Sequence, residues 1–430
     1  MGVNYTARAL PPAPGSSRSA RLLTAYGPGL LVAATGVGAG DLATAGIAGS
    51  KLGTAVLWAV LLGAALKWLL NEGVARWQLA TGTTLLEGAV RHLGRPASIL
   101  FLGYLTIWSL AVGRALAAAC GVTAHALVPI FDDPVTGKVV FGALHGVAGV
   151  ALVLAGGFRL IERALTLFIT LMFVTVVATA ALLRPDLGAL AGGLLSPSIP
   201  HAGGEGLVWT VALLGGVGGT VTLLCYGYWI REAGRDRPEH LAGCRKDLGL
   251  AYAATAIFGI AMVIVGSTVE VQGGGAGLLV DLADRLSLAL GPAGRWLFLV
   301  GAWGAVASSL LGVWQSVPYL FADLIGLLRS AAPRPAIRTD GLVYRAALTG
   351  FGVVSVVGLF APFVSIQKVY AVLGALFVPM LAAALLLLNG QARFIGARHR
   401  NRLPATLGLA ATLALFALFA AHELGWLTLR

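Results

Sequence analysis

Charge is what this chain has least of: only 11% of its 430 residues are Asp, Glu, Lys or Arg, while 58% are hydrophobic. A soluble domain cannot hide that much apolar surface in its own core, so the chain must use lipid as a solvent. The mean hydropathy of +0.86 agrees. Cysteine is also rare. Cys120, Cys225 and Cys244 show no CxxC spacing and two of them lie in apolar runs, which excludes a disulfide framework or a zinc site and leaves them as small apolar fillers. The opening MGVNYTARALPPAPGSSRSARLL lacks the apolar run of a signal peptide and reads as a basic cytoplasmic tail; its Met-Gly is a weak myristoylation match. HExxH, GxSxG and paired intramembrane aspartates are all missing, and His125 and His145 form no HxxxH pair. No enzyme and no cofactor is expected.

What is present is a series of long apolar runs. A spanning helix takes about 20 residues, and by that measure about eleven spans are expected, near 27 to 50, 53 to 80, 97 to 126, 138 to 156, 162 to 183, 206 to 230, 247 to 268, 292 to 327, 342 to 361, 366 to 389 and 405 to 426. The net charge of +12 would suggest nucleic acid in a soluble chain. Here the Lys and Arg residues sit between spans. With the N-terminus inside, the cytoplasmic loops hold Arg91 and Arg95, Arg159 and Arg163, REAGRDRPEHLAGCRK, RSAAPRPAIR and QARFIGARHRNR, whereas PIFDDPVTGK and the stretch from Val280 to Arg285 on the other side are mixed or acidic. That is the positive-inside pattern, so the basicity reports topology.

An aspartate within the first span raises the functional question. In GVGAGDLATAGIAGS, Asp41 follows a run of glycines; a carboxylate at the bilayer centre costs at least about 2.5 kcal/mol, so it should face a partner, a cavity or a substrate path. The sixth span carries a second Gly-rich run, GGVGGTVT from Gly215 to Thr222. The two runs lie five spans apart, and an odd offset inverts topology. Gly clusters in membrane helices commonly serve as close-packing surfaces. Paired Gly-interrupted segments in two halves point instead to an inverted-repeat transporter with a midplane site, where unwound backbone offers carbonyls and helix ends.

At these residues the chain resembles the NRAMP family of proton-coupled divalent-metal transporters. GPGLLVAATGVGAGDLATAGIAGSKLG is similar to the family's first helix, ARWQLATG with LLEGAVRHLG to the end of its second, SSLLGVWQSVPYLFADLIGLLR to its eighth, and ALFVPMLAAALLLLNG to its tenth. The resemblance implies an all-α membrane protein with the LeuT-like 5+5 inverted repeat and broken helices one and six. The expected organisation is a tail over 1–24, a first repeat over 25–185, a second over 206–390, and a basic loop with helix eleven over 391–430. The departures matter. Against the family's Asp-Pro-Gly-Asn the chain has Gly38, Ala39, Gly40 and Asp41, so the carboxylate stands at the Asn place; the family's Met-Pro-His falls on Thr222, Leu223 and Leu224, and the metal-facing carbonyl would belong to Gly219. Without the thioether, oxygen donors suit a hard ion such as Mg better than Mn or Fe. The third helix has no acid but does have Arg114, which weakens a proton route like the family's, while Arg345 resembles an arginine of that route.

The remaining charges have competing readings. Asp41 and Arg114 could form a pair, making the site nearly neutral and better suited to a polar or zwitterionic organic solute. Glu72 and Arg76, spaced i to i+4, share a helix face and read as a structural pair or gate. Lys67 lies deeper and reads as structural, snorkelling or pairing with Glu72. Gln315 and Ser316 precede a kinking Pro318 in the eighth span, which is compatible with a gate. The resulting expectation is a monomeric inner- or plasma-membrane transporter or facilitator. It would move a small cation, a divalent metal, by alternating access, with protons as a candidate partner besides lipid and no nucleic acid. The substrate site is expected at Asp41, Gly38, Gly219 and Thr222, with Asp41 and Thr222 as metal ligands. Arg114, Glu72, Arg76, Gln315 and Arg345 are the candidate gates or charge partners. A sensor or scaffold on a transporter fold is the rival from another class, lowered by the want of a soluble signalling domain.

Overall fold

A computed structural model describes residues 28–29, 32, 39–155, 158–202, 204–271, 275, 277–329, 341–424 and 426. The described residues form helices and the turns between them. After a π-helical turn, Ala39–Thr44, come α1 (Ala45–Leu52), α2 (Leu57–Thr81), α3 (Leu85–Leu127), α4 (Pro134–Ala155), α5 (Phe158–Leu182) and α6 (Leu187–Leu195). The second half runs through α7 (Glu205–Gly216), a 3-10 turn (Val221–Leu224), α8 (Cys225–Glu232), α9 (Leu241–Gly266), α10 (Leu278–Arg329), α11 (Leu342–Val357), α12 (Phe363–Asn389) and α13 (Leu403–Glu423). Among the described residues nine helices are long and apolar enough to cross a membrane, or ten if α5 and α6 count as one bent span. Asp41–Thr81 counts once there, yet it holds parts of two expected spans.

Local sequence sets the boundaries. Gly82 ends α2 in the left-handed region at φ 71°, donating to the Gln78 carbonyl, and two residues later Thr84 opens α3 with a capping box. Glu87 N–H donates to Thr84 Oγ1 at 3.1 Å and Thr84 N–H donates to Glu87 at 2.7 Å, which satisfies amides the new helix would otherwise leave open. The sequence expected spans from 97 and from 292; the structure extends helix back from both, through single breaks. In α3 the break is Gly94 (φ 85°), just before Pro96, and in α10 it is Gly291 (φ 71°), just before Pro292. Only glycine takes such φ without strain, and proline cannot donate into the preceding turn. Each device puts a short helix ahead of a span, at corresponding places in the two halves.

The packing puts the sixth span in the middle. Of its most apolar window 89% is buried, against 22% for α4 and for α13, which therefore lie at the periphery. Around it, α7 packs on α12 and α2, α9 packs on α1 and α2, and α10 packs on α3 and α5. The α1 and α9 contact uses glycine for close approach. A Cβ on Gly49 would fall 2.3 Å from the Val263 carbonyl oxygen, and one on Gly266 2.4 Å from that of Gly46. The glycines following Asp41 are thus packing residues, the commoner use of such clusters in membranes.

Candidate functional site

The sixth span is broken. α7 stops at Gly216, Val217 turns extended (ψ 127°), Gly218 and Gly219 follow at φ 78° and 83°, and the chain resumes as a 3-10 turn before α8. Two successive left-handed residues are strained for any side chain, so the glycine pair makes the break. The break frees backbone groups near the middle of the span, and polar partners must meet them there.

Two charged side chains do so. Asp41, in the π-helical turn of the first span, is fully buried and accepts the Gly218 N–H at 3.2 and 3.3 Å from its two oxygens. Lys67 of α2 is fully buried as well. Its ammonium donates to the Gly215 carbonyl at 2.8 Å and to the Val217 carbonyl. Asp41 and Lys67 act on each other electrostatically across the gap. This corrects the reading of Lys67 as a snorkelling or Glu72-paired residue. Lys67 sits ten residues from Leu57 and farther from Thr81, about 15 Å or more of helix, beyond what a lysine side chain can span to reach either end.

Further polar atoms surround the gap. Asn71, one turn after Lys67 on α2, donates its Nδ2 to the Tyr252 hydroxyl at 2.9 Å. Tyr252 in turn lies against Gly218, where a Cβ would come within 3.1 Å of its ring. Asn71 Oδ1 and Thr44 Oγ1 are buried without a hydrogen-bond partner among the described residues. The donor set is thus carboxylate, carbonyl, amide and hydroxyl oxygen. Among the described residues no group of three or more His, Cys, Asp or Glu side chains comes together. Oxygen of this kind suits hard cations.

The other expected residues are spread out. Gly219 supplies the second left-handed step, while the carbonyls that accept in the gap are those of Gly215 and Val217. Thr222 is buried in the 3-10 turn, and Gly38 lies outside the described residues. Arg114 does not reach Asp41: its Nε donates to the Leu110 carbonyl at 3.1 Å and its stem lies on Gly358. Gln315 is exposed, its carbonyl accepting from the Tyr344 hydroxyl, and Arg345 is exposed at the start of α11. Glu72 and Arg76 do pair, and Arg245 of α9 joins them at 2.7 Å; Arg76 continues to the His399 carbonyl and to Asn401.

Two ties at opposite ends join the broken spans. On the side of the basic loops, Asp247 of α9 accepts from the Gly29 N–H (3.0 Å), the Tyr226 hydroxyl (3.2 Å) and Arg235 (2.9 Å). A Cβ on Gly29 would collide with that carboxylate. At the far end, Glu205 of α7 meets Lys51 of α1 at 2.7 Å and Lys368 of α12 at 3.1 Å. Sequence reasoning missed both clusters because their members are remote in the chain. The available signal was Asp247, the acid that follows Arg245 and Lys246 where the basic loop gives way to an apolar run.

Two long helical spans that meet where the sixth is broken, with a buried Asp41 and Lys67 on the freed backbone, define the class: a multi-pass membrane protein on the LeuT-like broken-helix scaffold. The chain belongs to the Nramp family, whose model, described as natural resistance-associated macrophage protein-like, matches residues 29–422. Among solved structures, a mutant of the Eremococcus coleocola manganese transporter aligns with a TM-score of 0.72 at 18% identity, covering 95% of this chain and 87% of that one. The same transporter bound to an aromatic bis-isothiourea compound aligns at 0.70 and 18%, covering 97% and 90%. MhsT in complex with L-phenylalanine aligns at 0.64 and 18%, covering 96% and 99%. No curated protein matches the sequence. At these identities the structures speak for the fold.

Proposed function

We propose that this chain is a secondary transporter that carries a small cation, a divalent metal, by alternating access through the gap between its first and sixth spans. The observation behind this reading is the convergence of the Asp41 carboxylate with the freed carbonyls of Gly215 and Val217 in a buried gap. Family membership and the fold shared with a manganese transporter support the metal class. The all-oxygen donor set favours a hard ion such as Mg(II). Thr222, Gly219 and Gly38 complete the proposed site. The Glu72, Arg76 and Arg245 cluster and the Asp247 tie act as the cytoplasmic gate, Glu205 with its lysines as the outer one. The positive-inside pattern of the basic loops supports a cytoplasmic N-terminus, and the location proposed with it is the inner or plasma membrane.

The test is uptake of Mg(II), Mn(II) and Ca(II) into proteoliposomes, with Asp41→Ala as control. Flux of at least one dication that disappears in the variant is the expected result. Absence of flux for all of them overturns the cation reading and leaves a second one, a zwitterionic or polar organic solute. One observation favours that alternative: with Lys67 in the gap beside Asp41, the site carries no net charge.

A further inference from the structure

The Lys67 ammonium sits where a substrate cation would sit. It takes the Gly215 and Val217 carbonyls, which the broken helix leaves free, and it faces the carboxylate that would hold a transported ion. A metal ion cannot use those carbonyls until the ammonium has left them. One turn along the same helix face waits a seat for it. Asn71 Oδ1 is a buried acceptor without a partner among the described residues, and side chains at i and i+4 are neighbours.

We propose that Lys67 is a tethered cation that fills the central site when the transporter is empty and moves to Asn71 Oδ1 when substrate enters. The idea rests on the cation reading above. Its consequence lies in the return step of the cycle. A carrier must reorient both loaded and unloaded to give net transport, and an unloaded site would expose a bare Asp41 carboxylate to the membrane interior, the costly condition for a buried charge. With Lys67 in place the empty site is neutral and can cross. Without it the carrier crosses only when loaded, and becomes an exchanger.

Binding carries a second signature. An internal competitor lowers apparent affinity by the fraction of molecules in which it occupies the site. Lys67→Leu, which adds no donor atom, should therefore bind Mn(II) about tenfold more tightly by calorimetry in detergent. In proteoliposomes the same variant should favour exchange of internal for external labelled Mn(II) over net uptake, so that the ratio of net uptake to exchange falls below that of the wild type. Its net uptake into metal-free vesicles should drop about tenfold, as a return step limited by an uncompensated charge requires. Lys67→Arg, which keeps the charge, should retain net uptake. Asn71→Leu, which removes the alternative seat, should weaken Mn(II) binding. Lys67→Gln serves as a second neutral variant, and monodispersity in detergent confirms folding. If wild type carries Mn(II) and both neutral variants match its affinity and its ratio of net uptake to exchange, the tether is wrong while the cation reading stands. If neither wild type nor any variant binds or carries Mg(II), Mn(II) or Ca(II), the cation reading fails and takes the tether with it.

Discussion

The first and sixth spans occupy matching places in the two repeats and interrupt themselves by different means. The sixth does it with backbone: Gly218 and Gly219 turn left-handed, and the Gly215 and Val217 carbonyls come free. The first contributes a side chain, the Asp41 carboxylate, delivered from a π-helical turn onto the Gly218 amide. One half thus offers fixed dipoles and the other a full charge. Dipoles alone bind cations weakly and without regard to the state of the cycle; a buried carboxylate must be compensated in every state. That asymmetry is why a third element, α2, has to send in Lys67.

The largest effect is expected on the charged half. Asp41→Ala removes the anion, leaving Lys67 buried with carbonyls only and the Gly218 N–H without its carboxylate acceptor, and losing a charged hydrogen-bonding partner costs about 3 kcal/mol, or roughly a hundredfold. Initial uptake rates across metal concentrations would show the drop. A variant with nearly normal uptake would place the substrate away from the two breaks.

The next effect concerns how the two spans are held on the side of the basic loops. Asp247 gathers Gly29 of the first span, Tyr226 of the sixth and Arg235 in one cluster, with Asp247 1% and Arg235 11% exposed at the side chain. Asp247→Asn leaves the arginine without its counter-charge, which for a pair this buried costs about 3 kcal/mol. That energy is lost from states closed on the basic side, so labelling of cysteines introduced along the inner half of the sixth span should accelerate. Unchanged labelling with a lowered melting temperature would make the cluster a plain structural brace.

Gly218→Ala probes the backbone half directly. The position has φ 78°, and a methyl group would come within 3.1 Å of Tyr252. Left-handed backbone costs a non-glycine residue about 1 to 2 kcal/mol. The amide that meets Asp41 should therefore shift, and cation affinity should fall about tenfold with folding retained. An equal loss in Gly219→Ala would mean that the break as a whole matters rather than the amide of Gly218.

These differences also explain what could be read before the structure. The broken spans were legible because glycine density and an isolated aspartate are local signals. The Gly94 and Gly291 breaks were not anticipated, since a glycine one or two residues ahead of a proline between apolar runs reads equally well as a loop. Pairing across the fold was the hard part. Arg114 was a plausible partner for Asp41 from the sequence, but it turns to its own helix at Leu110. Lys67 was the midplane cation, and its partners lie about 150 residues away. Only its depth within α2 could have excluded snorkelling, and helix ends are the least certain feature of a sequence reading.

The smallest effect should come from the outer tie, and its size separates the two ends. Glu205 joins the same two spans as Asp247 does, through Lys51, with Lys368 added from α12. Its side chain is 53% exposed and those of the lysines about a third, so each pair contributes below about 1 kcal/mol and is screened by salt. Glu205→Gln should change uptake less than threefold at low ionic strength, consistent with a contribution under about 0.7 kcal/mol, and the difference should vanish at high salt. If the variant instead matched Asp247→Asn in size and ignored salt, the outer end would be as dry as the inner one. Closure would then be symmetric, and the contrast between a buried inner latch and a wet outer one would have to be given up.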